Sequence, residues 1–201
     1  MSRWLSPVLL LLPLLPGLPA RADPGPAAVV AALHEALIAT MREGKALGFA
    51  GRFERLAPTV TETFDLAQMT RLAAGSSWAK FSKEEQEALA AGFRRYSIAN
   101  YAVRFVSFAG ERFEQVGERT QDGLGTLVET RLVPGDGQPV TLTYLLRERG
   151  GDWRAIDVYL TGTISELAVK RSEFAAVLAR EGIAGLLKLL EQRNEEMAKR
   201  D

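Results

Sequence analysis

The spacing of apolar residues changes character along this chain, and the changes divide it into segments. From Ala27 to Glu43 apolar positions recur at Val30, Leu33, Leu37 and Met41, the spacing of one helix face. Gly44 and Gly48 interrupt that helix; a second helical stretch covers Gly51 to Ala57, and Pro58 suits the first turn of a further one, Thr59 to Phe64. Asp65 is placed to cap the helix LAQMTRLAAG, with Gly75 as its stop. Ser82 and Glu85 form a capping box that opens the longest predicted helix, Lys83 to about Phe108. Leu89, Phe93, Tyr96 and Val103 share one side of it, and Ile98, Tyr101, Phe105 and Phe108 fall about a third of a turn away. Its second half is therefore apolar over most of its circumference, as in a helix buried between layers or lining an apolar space.

From residue 112 the period becomes two. Asp122-Gly123, Pro134-Gly135-Asp136-Gly137 and Gly150-Gly151 are hairpin signals that separate four strands, roughly 112–120, 124–133, 138–149 and 152–160. Val128 and Leu132, then Val140, Leu142, Tyr144 and Leu146, mark apolar strand faces, while Ile156, Val158 and Leu160 alternate with Ala155, Asp157 and Tyr159. After Gly162 the helical period returns with Ile164, Leu167, Arg171, Phe174 and Leu178. A last helix carries Ile183, Leu186, Leu187 and Leu190 before the charged stretch EQRNEEMAKRD. Helices, strands, then helices predict an α+β fold: a twisted antiparallel four-stranded meander sheet with N-terminal and C-terminal helices packed on one face.

The first 22 residues stand outside this pattern. Arg3, the apolar run Leu5 to Leu15 and the small residues of Ala20-Arg21-Ala22 have the form of a cleavable signal peptide, with an uncleaved anchor as the alternative. Export to a periplasm follows, with a short linker at 23–26, one domain at 27–190 and a charged tail at 191–201. The chain has no cysteine, which rules out disulfides and thiolate chemistry. Its 25 basic and 25 acidic residues balance; loss of Arg3 and Arg21 with the leader leaves 23 against 25, a net charge of −2. That is no electrostatic footprint for nucleic acid.

Catalytic chemistry finds little support. His34 is the only histidine, so a histidine-rich metal site cannot be assembled and an imidazole catalyst has no evident partner. Asp157, Glu166 and Glu173 are the carboxylates that could pair near the strand–helix junction, but such spacing ordinarily marks a solvated face. We expect neither an enzyme nor a cofactor. The remaining feature is a large supply of apolar side chains, which either fill a core or line a cavity; periodicity does not separate the two.

Three stretches together carry a family resemblance. DVYLTGTISELAVKRSEFAAVLAREG resembles the end of the MlaC family of periplasmic lipid carriers at Asp157, Val158, Gly162, Ser165, Arg171, Ser172 and Phe174. TFDLAQMTRLAAGSSWAKFSKEEQEALAAGFRRYSIANYAVRF and GQPVTLTYLLRERGGDWRAIDV are similar to the family's other landmarks, in the same order. GTISELAV and RRYSIANYAVRF are closer to HpnM, the hopanoid-associated branch. The resemblance implies a monomeric shuttle for a phospholipid or hopanoid between inner and outer membranes, its tails held in an apolar cavity between sheet and helices. It implies as partner an inner-membrane transporter, or a membrane complex of MCE or RND type. On that reading the lining comes from Phe93, Tyr101, Phe105, Val128, Leu142, Tyr144, Val158, Leu160, Ile164 and Phe174. Arg171 either meets the headgroup at the rim or pairs internally with Asp157 or Glu173.

Overall fold

The structure, a computed structural model, describes residues 24–200; the expected signal peptide lies outside the described residues. Helix α1, Pro26–Thr63, begins with proline where a missing N–H costs nothing. It is sharply bent at Gly48, whose φ of 57° is open to glycine at little cost. Beyond the bend the chain turns back. Arg55 on the second arm reaches Glu43 on the first at 2.9 and 3.1 Å, although 12 residues of straight helix span about 18 Å. The second arm runs on through Pro58 to Thr63, so no separate helix starts at Thr59.

Helix α2 (Leu66–Ala74) is capped by Asp65, whose carboxylate accepts from the Gln68 N–H at 2.9 Å. A 3₁₀ turn, Gly75–Lys80, leads to α3, Lys83–Arg104. The capping box at its start forms as expected: Glu85 N–H donates to Ser82 Oγ at 3.2 Å and Ser82 N–H to Glu85 Oε2 at 2.8 Å. Its end does not match the expectation. The helix stops at Arg104, and Phe105 to Phe108 leave it. The all-round apolar character of the second half is therefore partly an artefact of helical projection. Phe105 instead stacks near Tyr101, while Phe108 lies exposed under the Arg42 guanidinium, 5.2 Å from its ring centre.

The sheet follows as β1 (Arg112–Gln121), β2 (Gly125–Val133), β3 (Val140–Arg149) and β4 (Asp152–Leu160), joined in order by antiparallel pairing. A fifth strand, β5 (Ile164–Ser165), corrects the four-stranded expectation. The tight turn after Leu160, in which Thr163 N–H donates back to the Leu160 carbonyl at 3.2 Å, returns the chain for two residues before a helix can start. Ile164 is thus a strand residue and not the first step of a helix.

Helix α4, Glu166–Ala198, is bent at Gly182 (φ 64°) into two arms, and Glu173 on the first meets Arg193 on the second. In a straight helix those residues would stand about 30 Å apart. The second arm continues through the stretch read as a charged tail. Asn194 and Met197 on its inner side are buried, which its charged outer side conceals in the sequence. No helix among the described residues is long and apolar enough to cross a membrane.

The helices cover one face of the sheet. Val30, Leu33 and Leu37 of α1, Leu89 and Phe93 of α3, and Phe174, Leu186 and Leu190 of α4 share a core with Val128, Tyr144, Leu146 and Ala155 from the strands. Leu127, Leu145 and Ile156 form a small cluster apart from it. Ile156 belongs there because it is the extra residue of a bulge: Ala155 pairs with Leu146 and Asp157 with Leu145. The bulge breaks the alternation that would have set Ile156 beside Val158 and Leu160. Helix α1 is pinned to β4 where Asp65 N–H donates to the Ala155 carbonyl at 3.0 Å, and α3 packs chiefly on the other helices.

One buried charge ties the helices together. Arg52, 1% exposed, donates from Nε to the Ala102 carbonyl at 2.8 Å and from Nη1 to the Gly44 carbonyl at 2.7 Å. Ala102 lies in the last turn of α3 and Gly44 in the turn before the bend of α1, positions where helical N–H donors run out and the helix dipole favours a cation. Arg52→Met keeps the apolar stem but leaves both carbonyls without the guanidinium. We expect it to lower unfolding stability by roughly 3–5 kcal/mol, read as a fall in the urea midpoint.

Candidate functional site

The space between α3 and the sheet is a cavity of about 400 Å³. One stripe of α3 forms its helical wall. Phe93, Tyr96, Ser97, Asn100, Tyr101 and Arg104 recur at steps of three and one, the signature of a single helix face, and Phe105 extends it past the helix end. The opposite wall is a strand face: Leu142 and Tyr144 on β3, Val158 and Leu160 on β4, with Leu132 and Val140 beyond them. Phe64, Leu66 and Met69 close the inner end, and Glu166, Leu167 and Lys170 of α4 complete the surround. The inner residues are buried, whereas Arg104 is exposed and Val140 is 39% exposed, so the cavity opens at their end.

Aromatic contacts brace the helical wall. Tyr101 lies 5.7 Å from Phe64 and 5.9 Å from Phe105, and Phe105 reaches Phe113 on β1 at 6.3 Å between ring centres. Behind the wall Phe174 meets Phe93 edge-on at 6.0 Å.

The polar atoms of the interior are few and mostly satisfied within the protein. Tyr144 Oη and His34 Nε2 are 3.0 Å apart, and the imidazole stacks flat on Phe113 at 3.8 Å. Burial lowers the His34 pKa to about 4, so the ring is neutral near pH 7. Burial likewise pushes the Tyr101 and Tyr144 phenols above their ordinary values. At the opening Lys170 lies 4.7 Å over the Tyr96 ring and donates to Glu173 at 3.0 Å; Glu173 also binds Arg193. Against the upward push of burial, hydrogen bonds from Arg193 and Lys170 hold the Glu173 carboxyl below its ordinary value.

Seven of the expected lining residues face the cavity: Phe93, Tyr101, Phe105, Leu142, Tyr144, Val158 and Leu160. Four do not. Val128 is fully buried in the core beside Tyr144, its partner across the strands, and Phe174 backs Phe93 without reaching the space. Ile164, 51% exposed, stands at the lip, where it pairs with Leu160. Arg171 lies on another side of α4, in a separate cleft beside Gly75, Ser76, Ser77 and Lys80. Neither alternative for Arg171 is realised: it is away from the rim and pairs with neither Asp157 nor Glu173. The Asp157 carboxylate is taken up by the Val158 N–H at 2.8 Å, the Leu167 N–H at 3.0 Å and Ser165 Oγ at 2.5 Å. It locks strand to helix. With Asp157 so engaged and Glu173 in ion pairs, the three carboxylates do not form an acid–base couple.

The residues missed by sequence reasoning are chiefly the polar part of the α3 stripe, Ser97, Asn100 and Arg104, and the α4 residues Leu167 and Lys170, while Glu166, a candidate only as a paired carboxylate, also lines the cavity. The stripe is discoverable by continuing the Phe93–Tyr96 spacing through polar positions.

A family model described as MlaC protein matches residues 31–192. Among solved structures, a phospholipid-binding protein from Ralstonia solanacearum, determined in complex with a phospholipid, superposes with a TM-score of 0.76 at 23% sequence identity. The match covers 89% of this chain and 100% of that one. At that identity the likeness is one of fold. No curated protein sequence matches the chain.

The buried imidazole makes stability depend on pH in a defined direction. Its pKa is near 4 in the folded protein, against an ordinary value of 6.5 for an exposed imidazole. Between those values the unfolded chain holds the extra proton, so the His34 contribution is complete above pH 6.5 and is lost as the pH falls toward 4. The difference amounts to about 3 kcal/mol at the acid end. Urea midpoints measured from pH 7 to 4 should fall more steeply for the native sequence than for His34→Gln, even though the variant starts less stable.

Proposed function

The chain belongs to the MlaC family, and from that premise we propose that it is a lipid-binding carrier of the periplasm, holding the apolar part of one lipid between α3 and the sheet with the polar end at the opening. The observation that carries the reading is the cavity itself: about 400 Å³ walled by aromatic and aliphatic side chains, open at one end. Ligand pockets are commonly about 300–1,000 Å³ and mostly apolar, so the size suits one small apolar body. The phospholipid bound by the Ralstonia solanacearum protein of the same fold supports a lipid cargo here. The leader-like residues 1–22 support export, and their removal would leave a mature protein beginning near Asp23.

The energetics suit a carrier. A tail of about 15 methylenes is worth roughly 12 kcal/mol out of water, at about 0.8 kcal/mol per methylene. An apolar cavity recovers much of that without any covalent step, and its cargo passes between inner and outer membranes through partner complexes of MCE or RND type. The segments GTISELAV and RRYSIANYAVRF favour the hopanoid-associated branch, so a hopanoid stands beside a phospholipid as cargo. A scaffold that binds no lipid is the competing reading, and it requires the cavity to stay empty.

Native mass spectrometry of the mature protein, purified without detergent from its own cell envelope and followed by lipid extraction, tests the proposal. A co-purifying lipid at one per protein is the expected result and names the cargo. Protein at its bare mass that also takes up no added lipid would establish the scaffold instead. A second measurement uses the walls. Leu160→Trp places bulk in the cavity from a half-buried position without burying a charge. Titration with a fluorescent fatty acid should show uptake weakened at least about tenfold, the equivalent of roughly 1.4 kcal/mol, with the melting temperature kept.

A further inference from the structure

The charges around the opening fall into two sets. Lys170 and Glu173 are engaged: Glu173 joins Lys170 on the first arm of α4 to Arg193 on the second, and Lys170 also covers the Tyr96 ring of α3. This network closes on itself and holds three helical arms together.

Arg104 and Glu166 differ. Both line the cavity, Arg104 from the last turn of α3 and Glu166 from the first turn of α4. Among the described residues neither makes an ion pair or a side-chain hydrogen bond, and they do not pair with each other although their signs are opposite. Both helix ends border the same cavity. The Tyr101 hydroxyl, whose pKa is raised first by burial, feels both charges, Arg104 lowering it and Glu166 raising it. An unpaired cation and an unpaired carboxylate thus line one cavity, and both act on the Tyr101 phenol in its wall.

We propose that this opening reads a zwitterionic headgroup: Arg104 takes the anionic group, a phosphate in the simplest case, and Glu166 takes an ammonium. The inference rests on the lipid-carrier reading and adds the headgroup class. A guanidinium presents a planar pair of donors that matches phosphate oxygens, while a carboxylate offers only acceptors and so selects a donor-bearing cation. A headgroup with a phosphate and no ammonium satisfies Arg104 but leaves Glu166 facing a like charge. A headgroup with neither leaves both residues to water. Because both side chains reach solvent, the discrimination is modest, about three- to fivefold, as for exposed ion pairs.

Displacement of a bound fluorescent fatty acid from delipidated mature protein provides the test, using phosphatidylethanolamine, phosphatidylglycerol and diacylglycerol with identical short chains. Phosphatidylethanolamine should displace the probe at about a three- to fivefold lower concentration than phosphatidylglycerol. Glu166→Gln should erase that ratio, and Arg104→Gln should bring both phospholipids toward the diacylglycerol value. The ratio is read within each variant, so a general loss of affinity drops out. Equal displacement by the two phospholipids in the native protein, or an unchanged ratio in Glu166→Gln, overturns the headgroup assignment and leaves the carrier reading standing. Failure of all three lipids to displace the probe overturns both.

Discussion

The Arg52 bonds to Ala102 and Gly44 decide where α3 stands, and the cavity exists because α3 stands away from the sheet. Protein interiors ordinarily close to the density of organic crystals, so a helix with an apolar stripe beside an apolar strand face should settle onto it. Here the C-terminal end of α3 is bonded to the bent α1, and α1 is in turn bonded to β4 through Asp65 and Ala155. Phe64, Tyr101, Phe105 and Phe113 form a ring-to-ring strut across one end of the gap. Closing the gap means breaking the guanidinium bonds or displacing these rings. A buried guanidinium that replaces missing helix N–H donors is costly to move, because each released carbonyl would lose its partner away from water.

The two helix bends serve the same arrangement. Each of α1 and α4 doubles back at a glycine, giving four helical arms around the one straight helix that carries the aromatic stripe. Arg55 with Glu43, and Arg193 with Glu173, clasp the two hairpins across their bends. The first clasp is exposed and worth little on its own. The second is partly buried and adjoins Tyr96 through Lys170, so it couples the α4 hairpin to the cavity wall.

Much of this is legible in the sequence where period and punctuation agree. Val30, Leu33 and Leu37 fall inside, the Ser82–Glu85 box opens α3, and the three hairpin signals lie between the strands they divide. Gly48 also marks a real break, the point where α1 bends. What escapes has identifiable causes. A bulge at Ile156 leaves no trace in an alternating run, because an extra apolar residue looks like the next member of the pattern. The end of α3 is hidden because Phe105 and Phe108 continue its apolar spacing while the chain has already turned. Arg171 stands out for sitting among apolar residues, yet its direction depends on how α4 rolls against α2 and the 3₁₀ turn, which is a tertiary fact. Arg52 gives no signal at all, since a buried arginine between two helix ends looks like any surface arginine in a helix.

Placement of polarity explains how such a cavity could both hold and release a lipid. Inside, the hydroxyl of Tyr144 is bonded to a neutral imidazole, so the inner walls offer an apolar tail no competing demand for water. Charges are confined to the entrance, where water can solvate them when no cargo is present. Val140 and Ile164 stand exposed on the sheet side of that entrance, continuous with Leu132 and Leu160 within. A tail leaving along this edge would exchange one apolar surface for another and would not cross a polar collar on that side. On the carrier reading, full exposure of a tail to water would cost about 0.8 kcal/mol for each methylene withdrawn, a cost that an apolar acceptor at this edge would reduce. The charged residues Arg104, Glu166 and Lys170 belong to the helical side of the entrance. On the carrier reading, that asymmetry would let one rim retain the polar end of a cargo while the other leaves its apolar part a continuous path.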